Sequence, residues 1–429
     1  MQSSQKTTPS PSVSRRRFMK ASAAISAATL MASGVRLAHA AGGDTLRVGL
    51  IGCGGRGRGA AVNCTEAAPG VKVVALGDLF ADQIDATVKA FAERPRELFD
   101  ISPERCFVGW DAYQKVIDSG VDIVILATPP GFRPMMIEAA VKAGKHIFAE
   151  KPIAVCPAGV RQIMAAAEEA EKKGLSIVTG TQRRHDLGYR ETVRRIHEGA
   201  IGEILGGQVY WMQGSANVVM RKPEWSDVEW QIRNWWYFTW LAGDIIVEQH
   251  MHQHDVANWV MGGPPRLCIG MGARQVRTDP AYGHIYDFFA VDYEYPNGAH
   301  ILSMCRQIDN TYGRVSELFQ GTKGSAYPSG RILVKDAEPW SYEGPRPNPY
   351  VQEHTHLIES IRAGKPLNEG KENAQSALTA IMGRMSAYTG RLVTWSQAMN
   401  SKLDLRPGKL EFGPMPIPPV ALPGRERLI

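Results

Sequence analysis

Eight consecutive residues, "EQHMHQHD" at positions 248–255, hold one Glu, three His and one Asp, a density that suits a metal site, an acid/base site or a hydrated surface. Secondary structure discriminates among these. In a strand, side chains alternate faces, and Glu248, His250, His252 and His254 would line one side as a metal comb. In a helix, at roughly 100° per residue, Glu248, His252 and Asp255 fall within about 60° of one another, and His250 and His254 point nearly the opposite way. The apolar neighbours Ile246, Val256, Trp259 and Val260 fit a partly buried helix better than an alternating strand. The helix offers one Glu–His pair at i, i+4 and a second, separate pair, His250 and His254. That second spacing suits two imidazoles on a metal, but packing or a bond to backbone explains it more simply, so no metal is expected.

A second constellation is "GCGGRG" at 52–57, directly after the apolar run "LRVGLI" and before the helical run "AAVNCTEA". Gly52 permits a tight turn, Gly54 lets the main chain approach a pyrophosphate, and Gly57 lets helix and strand pack closely. Asp78 ends the next strand pattern about 20 residues beyond, where a carboxylate accepts hydrogen bonds from ribose hydroxyls. Leu79 and Phe80 follow it rather than an Arg, which favours NAD over NADP.

These residues need strands to carry them. "VKVVALGD" (71–78), "VDIVILATPP" (121–130), "HIFAEKP" (146–152) and "LSIVTGTQ" (175–182) are short apolar runs separated by helical stretches such as "PMMIEAAVKAGK". That alternation predicts an α/β fold with a doubly wound parallel sheet, a nucleotide-binding domain over 45–175. Beyond residue 200 the strand patterns lengthen and alternate, and Asn-Gly in "EYPNGAH" marks a hairpin. A second α/β domain over 176–400, on a large, mostly antiparallel open sheet, follows; a Pro-rich extended tail occupies 401–429. An open sheet makes a homo-oligomer the expected assembly.

The first 40 residues read as an export leader: "SRRRFMK", an apolar small-residue run too short to span a bilayer, then "AHA". The paired arginines indicate the twin-arginine machinery as partner and the periplasm as destination. This leader carries Lys6, Arg15, Arg16, Arg17, Lys20 and Arg36 with no acid, so its removal takes 49 basic residues to 43, equal to the 43 acidic ones. A neutral remainder gives no reason to expect nucleic acid or an anionic membrane as partner. No other stretch is apolar enough for stable membrane insertion. The six cysteines are widely spaced without Cys-x-x-Cys, and mostly buried free thiols are expected, since twin-arginine substrates fold before transport.

"AEKP" at 149–152, with "ATPP" at 127–130 and "GTQRR" at 180–184, resembles the glucose-fructose oxidoreductase, inositol dehydrogenase and rhizopine-catabolism family, over essentially the whole mature chain. The resemblance implies a Rossmann domain whose cofactor site comprises Gly52, Gly54, Arg56, Gly57, Asp78, Thr128, Glu150, Lys151, Gln182 and Arg183. It places Lys151 beside both nicotinamide and substrate hydroxyl, Glu248 at the family's carboxylate position and His252 at its catalytic His. Glu248 stands where Asp is more usual and His250 where a small residue is common. Tyr189, Trp235, Trp236, Tyr286 and Arg306 are the candidate substrate contacts.

The implied chemistry is hydride transfer from a sugar, glycoside or polyol hydroxyl. His252 takes the proton, Lys151 stabilises alkoxide character and Glu248 orients His252. Export removes the chain from any pool of free NAD, so a tightly bound cofactor (NAD, with NADP possible), regenerated in place, is expected. An alternative is a glycosidase cycling through oxidation, elimination and re-reduction; a non-catalytic sugar-binding member is the third reading.

Overall fold

In the computed structural model, which describes residues 45–427, six short strands form a parallel sheet. They are β1 (Leu46–Ile51), β2 (Val71–Asp78), β3 (Cys106–Val108), β4 (Ile123–Leu126), β5 (His146–Ala149) and β6 (Ile177–Thr179), in the order 3-2-1-4-5-6. All of β4 is buried, as befits a strand covered on both faces, which is why it reads as an unbroken apolar run. The order reverses between β1 and β4, opening a crevice at the carboxyl ends of the strands. The glycine turn follows β1, Asp78 ends β2, and Lys151 lies two residues past β5. The leader expected at 1–40 lies outside the described residues.

The second sheet has nine strands: β7 (Ile204–Gln213), β8 (Leu267–Ala273), β9 (Phe288–Glu294), β10 (His300–Gln307), β11 (Arg314–Gly321), β12 (Gly324–Tyr327), β13 (Arg331–Val334), β14 (Trp340–Ser341) and β15 (Val393–Thr394). Their order is 14-13-12-11-7-10-9-8-15, and only β7 and β10 run parallel. The Asn-Gly turn joins β9 to β10 as its sequence predicts, with Gly298 at φ +80°. Alternation along the strands buries Val209, Ile301, Cys305 and Phe319 on one face and leaves Ile269, Met271 and Leu302 exposed on the other.

Residues 245–261 depart from the single helix their spacing predicts. Two helices form instead, Ile245–Glu248 and Met251–Met261, because the N–H of His250 donates to the carbonyl of Ile245, five residues back, at 3.1 Å. The backbone widens there and reaims every side chain downstream of Glu248. The tail from 401 to 427 holds no helix or strand and is pinned by hydrogen bonds, Gln231 Nε2 to the Met415 carbonyl (2.7 Å) and the Met415 N–H to Asp227 Oδ2 (2.9 Å) among them. All six cysteines are free, five of them buried. Among the described residues no helix is long and apolar enough to cross a membrane.

Candidate active site

The glycine turn is shaped by what cannot be added to it. A Cβ on Gly57 would lie 1.9 Å from the Gly52 carbonyl oxygen, and Gly52, at φ +94°, backs onto Ala127 and Thr128. Gly54 differs: a Cβ there would meet nothing within 4 Å, so its backbone faces open space. The helix Gly55–Ala67 begins at this point with no side-chain cap and no acid in its first turn, leaving its N–H groups free for an anion. Asp78 takes hydrogen bonds from the N–H of Cys53 (2.7 Å) and of Phe80 (3.0 Å), which aim its carboxylate; burial raises its pKa. An open cradle, free helix N–H groups and an aimed carboxylate fit a dinucleotide.

In front of this turn lies a cavity of about 500 Å³. Gly52, Gly54, Arg56, Gly57, Asp78 and Thr128 line it on one side; Trp225, Ile232, Arg233, Trp235, Trp236 and Leu410 close it on the other. The structure therefore puts Trp235 and Trp236, expected at the substrate, in the wall of the dinucleotide cavity, stacked on each other at 4.8 Å. Arg56 pairs with Glu150 (2.5 Å) and lies 5.0 Å over the Tyr350 ring.

Lys151, Glu248 and His252 lie outside the walls of that cavity, in a closed polar region. Lys151 Nζ donates to Glu248 Oε1 (2.9 Å) and to its carbonyl (2.6 Å), with side-chain exposures of 12% and 5%. Here one expectation is corrected. The Glu248 carboxylate engages Lys151 and not His252, because the break after Glu248 removes the i, i+4 alignment of a continuous helix. His252 instead lies parallel to the Trp211 indole, at 5.5 Å and 18°. Burial, then the charges of Lys151 and Arg183, hold its pKa well below the ordinary imidazole value, so the ring is neutral at neutral pH.

Beside His252, Glu317 on β11 accepts from Arg183 (2.7 Å), Gln253 (3.1 Å) and Tyr189 (3.2 Å). Gln182 reaches Tyr350 at 3.2 Å, and its Oε1 is one of the buried atoms without a partner. Trp211, Gln253 and Glu317 escape the sequence reading. The available signal was a Glu at an inward position of a strand, since Glu317 pairs in register with buried Val209.

Two further candidates are placed elsewhere. Tyr286 is buried against Phe289 and Tyr388, its hydroxyl on the Ala421 carbonyl, so it belongs to the core. Arg306 shares with His300, Leu302 and Met304 the β10 face opposite buried Ser303 and Cys305, and donates to the Tyr312 carbonyl. His250 and His254 both bond the Ser303 hydroxyl, at 2.7 and 2.9 Å. Among the described residues no group of three or more His, Cys, Asp or Glu is arranged to hold a metal.

Residues 46–178 match the family description "Oxidoreductase family, NAD-binding Rossmann fold", and residues 189–327 match the "GFO/IDH/MocA C-terminal domain". The chain is 27% identical over 229 residues to scyllo-inositol 2-dehydrogenase (NAD(+)) of Bacillus subtilis, covering 53% of this chain and 57% of that enzyme, little more than half its length. It is 25% identical over 342 residues to inositol 2-dehydrogenase of Rhizobium meliloti, covering 77% and 92% of the two chains. In fold it matches the aldose-aldose oxidoreductase of Caulobacter crescentus complexed with glycerol, at a TM-score of 0.64 and 20% identity over 82% of this chain and 99% of that one. With its nucleotide-binding and C-terminal domains both matched, the chain belongs to the GFO/IDH/MocA oxidoreductase family.

Proposed function

We propose that this protein is an NAD-dependent oxidoreductase that oxidises a secondary hydroxyl of a sugar or polyol. One observation carries the reading: Lys151, just past β5, donates to Glu248 of the second domain, whose Oε2 is buried and has no partner among the described residues, and His252 stands close enough to feel the Lys151 charge. An unpaired buried carboxylate oxygen beside a held ammonium suits a substrate hydroxyl group. Neutral His252 accepts the proton of the reacting hydroxyl. Lys151, fixed by two contacts to Glu248, donates to the same oxygen as negative charge develops there, electrostatic help of the kind worth about 3 kcal/mol. Trp211 holds the imidazole plane, and Arg183, Glu317, Gln253 and Tyr189 offer the mixed donors and acceptors that a polyhydroxylated ring requires. When bound, the nicotinamide supplies the hydride acceptor.

The leader at 1–40 exports the folded chain through the twin-arginine route to the periplasm, and the dinucleotide travels with it as a tightly held group. The two-sided cavity wall supports such retention. The exposed apolar sheet face at Ile269, Met271 and Leu302 suits a second copy of the chain in a homo-oligomer. Native mass spectrometry of the exported protein tests the first point, and mixing it with a panel of polyols and sugars tests the second. Formation of reduced nicotinamide and a keto product supports dehydrogenation. Release of the aglycone from aryl glycosides without added NAD would instead identify a redox-cycling glycosidase. Replacing Arg15 and Arg16 with Lys and finding the protein still in the periplasm would contradict the export route.

A further inference from the structure

The cavity wall includes a stretch of chain outside both family matches, which end at residue 327. Leu410 lines the cavity. Together with Phe132 and Met135 it also lines an adjoining cavity of about 350 Å³ bounded by Asp404, Arg406, Pro407 and Gly408. This part of the tail is thus a partition between two voids. The Phe412 ring lies 5.1 Å from Trp110 and 6.2 Å from Phe80, both cavity-lining, and Phe80 is two residues past Asp78.

The segment is tied at both ends by polar contacts. Upstream, Arg406 pairs with Asp404 (2.6 Å) and bonds Gln162 (2.6 Å). Downstream, the Gly413 carbonyl accepts from Val228 (3.3 Å), and Met415 bonds Asp227 and Gln231. The helix Asp227–Arg233 that receives these bonds also gives Ile232 and Arg233 to the cavity wall, with the Arg233 guanidinium 3.8 Å over Phe80. Between the ties, Leu410 and Phe412 are the apolar groups turned to the cavity and its aromatic rim, and Phe412 remains 46% exposed. None of the polar ties involves the Leu410 or Phe412 side chain, so removing these two groups leaves every tie in place.

We propose that residues 404–415 are part of the dinucleotide site, with Leu410 and Phe412 covering its ribose–adenine end and setting how fast the dinucleotide leaves. This rests on the cofactor reading above. The occupant is the adenosine half of a nicotinamide dinucleotide, because the cover stands next to the ribose carboxylate Asp78 and is aromatic and apolar, as a purine face requires. The glycine turn and Asp78 persist without the cover, so its loss accelerates exchange and does not abolish binding.

The test uses the full-length protein loaded with NADH and chased with excess NAD, following loss of bound-NADH fluorescence. In the variant L410A/F412A the release rate rises about 10- to 100-fold, the scale expected for two lost apolar contacts. Leu422→Ala, an exposed change further along the same tail, leaves it unchanged. Circular dichroism reports whether the double variant folds; should it not, Phe412→Ser carries the same prediction at several-fold. Equal release rates for folded variant and wild type overturn the proposal alone. A wild-type protein that binds no NADH overturns the cofactor reading and this inference with it.

Discussion

The two ends of the site are made of different materials. The dinucleotide end is backbone and apolar wall: a glycine turn whose neighbours leave no room for a Cβ at Gly57, facing a cavity of about 500 Å³. The catalytic end is side chain on side chain, with Lys151 meeting Glu248 across 97 residues of sequence where both are largely shielded from solvent. Affinity for the dinucleotide is therefore sensitive to shape, and chemistry to charge and to the positions of single atoms.

Substitutions that separate these two dependences give the largest effects first. Lys151→Met keeps the volume and removes the charge; kcat falls by about 10³-fold, while the dinucleotide dissociation constant changes by no more than a few-fold. Single-turnover kinetics and a binding titration measure the two, and a parallel loss of both would erase the distinction. His252→Asn lowers kcat by about 10²-fold or more and removes the acid limb of the kcat/KM profile. In the wild type that limb lies below the ordinary imidazole value of about 6.5, because burial and the charges of Lys151 and Arg183 disfavour the imidazolium. At the other end, Gly57→Ala forces a Cβ to within 1.9 Å of the Gly52 oxygen. Dinucleotide binding is lost, and stability drops by about 1–3 kcal/mol in chemical denaturation. Gly54→Ala, with open space around it, weakens binding about tenfold at unchanged stability. A smaller effect, a rise in KM for the polyol of about tenfold at near-constant kcat, is expected for Glu317→Gln, which weakens a hub for three neighbours without touching Lys151.

How much of this was legible in the sequence follows the same division. The glycine turn, Asp78 and the alternation of strands and helices are local: each is set by residues within one βαβ unit, and the folded chain reproduces them, adding the three-residue edge strand β3, too short to register as an apolar run. Partnerships are not local. That Glu248 serves Lys151 depends on a break in the helix made by one hydrogen bond from His250 to Ile245, which no periodicity of apolar residues announces. Arg306 on β10 stands apart from the expected pocket for a related reason. A strand's period of two says which residues share a face, but assigning a face to the core or to solvent needs the neighbouring strands. The tail reads as extended from its prolines, but its passage along a cavity appears only once the fold is closed.

Buried imidazoles act at neither end of the site but on the stability of the whole fold, and only below neutral pH. Burial pushes His254 down to about 3 and His284 down to about 4, so both are neutral in the folded protein. Below about pH 6.5 the unfolded chain binds protons that the folded chain refuses, so this stability is complete above the unfolded value and falls as pH drops toward the folded ones. Each contributes a slope of at most about 1.4 kcal/mol per pH unit in that window. Denaturation at several pH values shows it, and His254→Gln flattens the slope.

The central claim is that Lys151 and His252 carry out alcohol oxidation on a dinucleotide held within the protein. The most direct measurement is the near-ultraviolet absorbance of the purified, exported protein as polyols and sugars are added without external NAD. Reduced nicotinamide should form in at most one equivalent per chain with wild type, and about 10³-fold more slowly with Lys151→Met. No absorbance change with any of them, in protein shown by mass spectrometry to carry oxidised dinucleotide, would contradict the account.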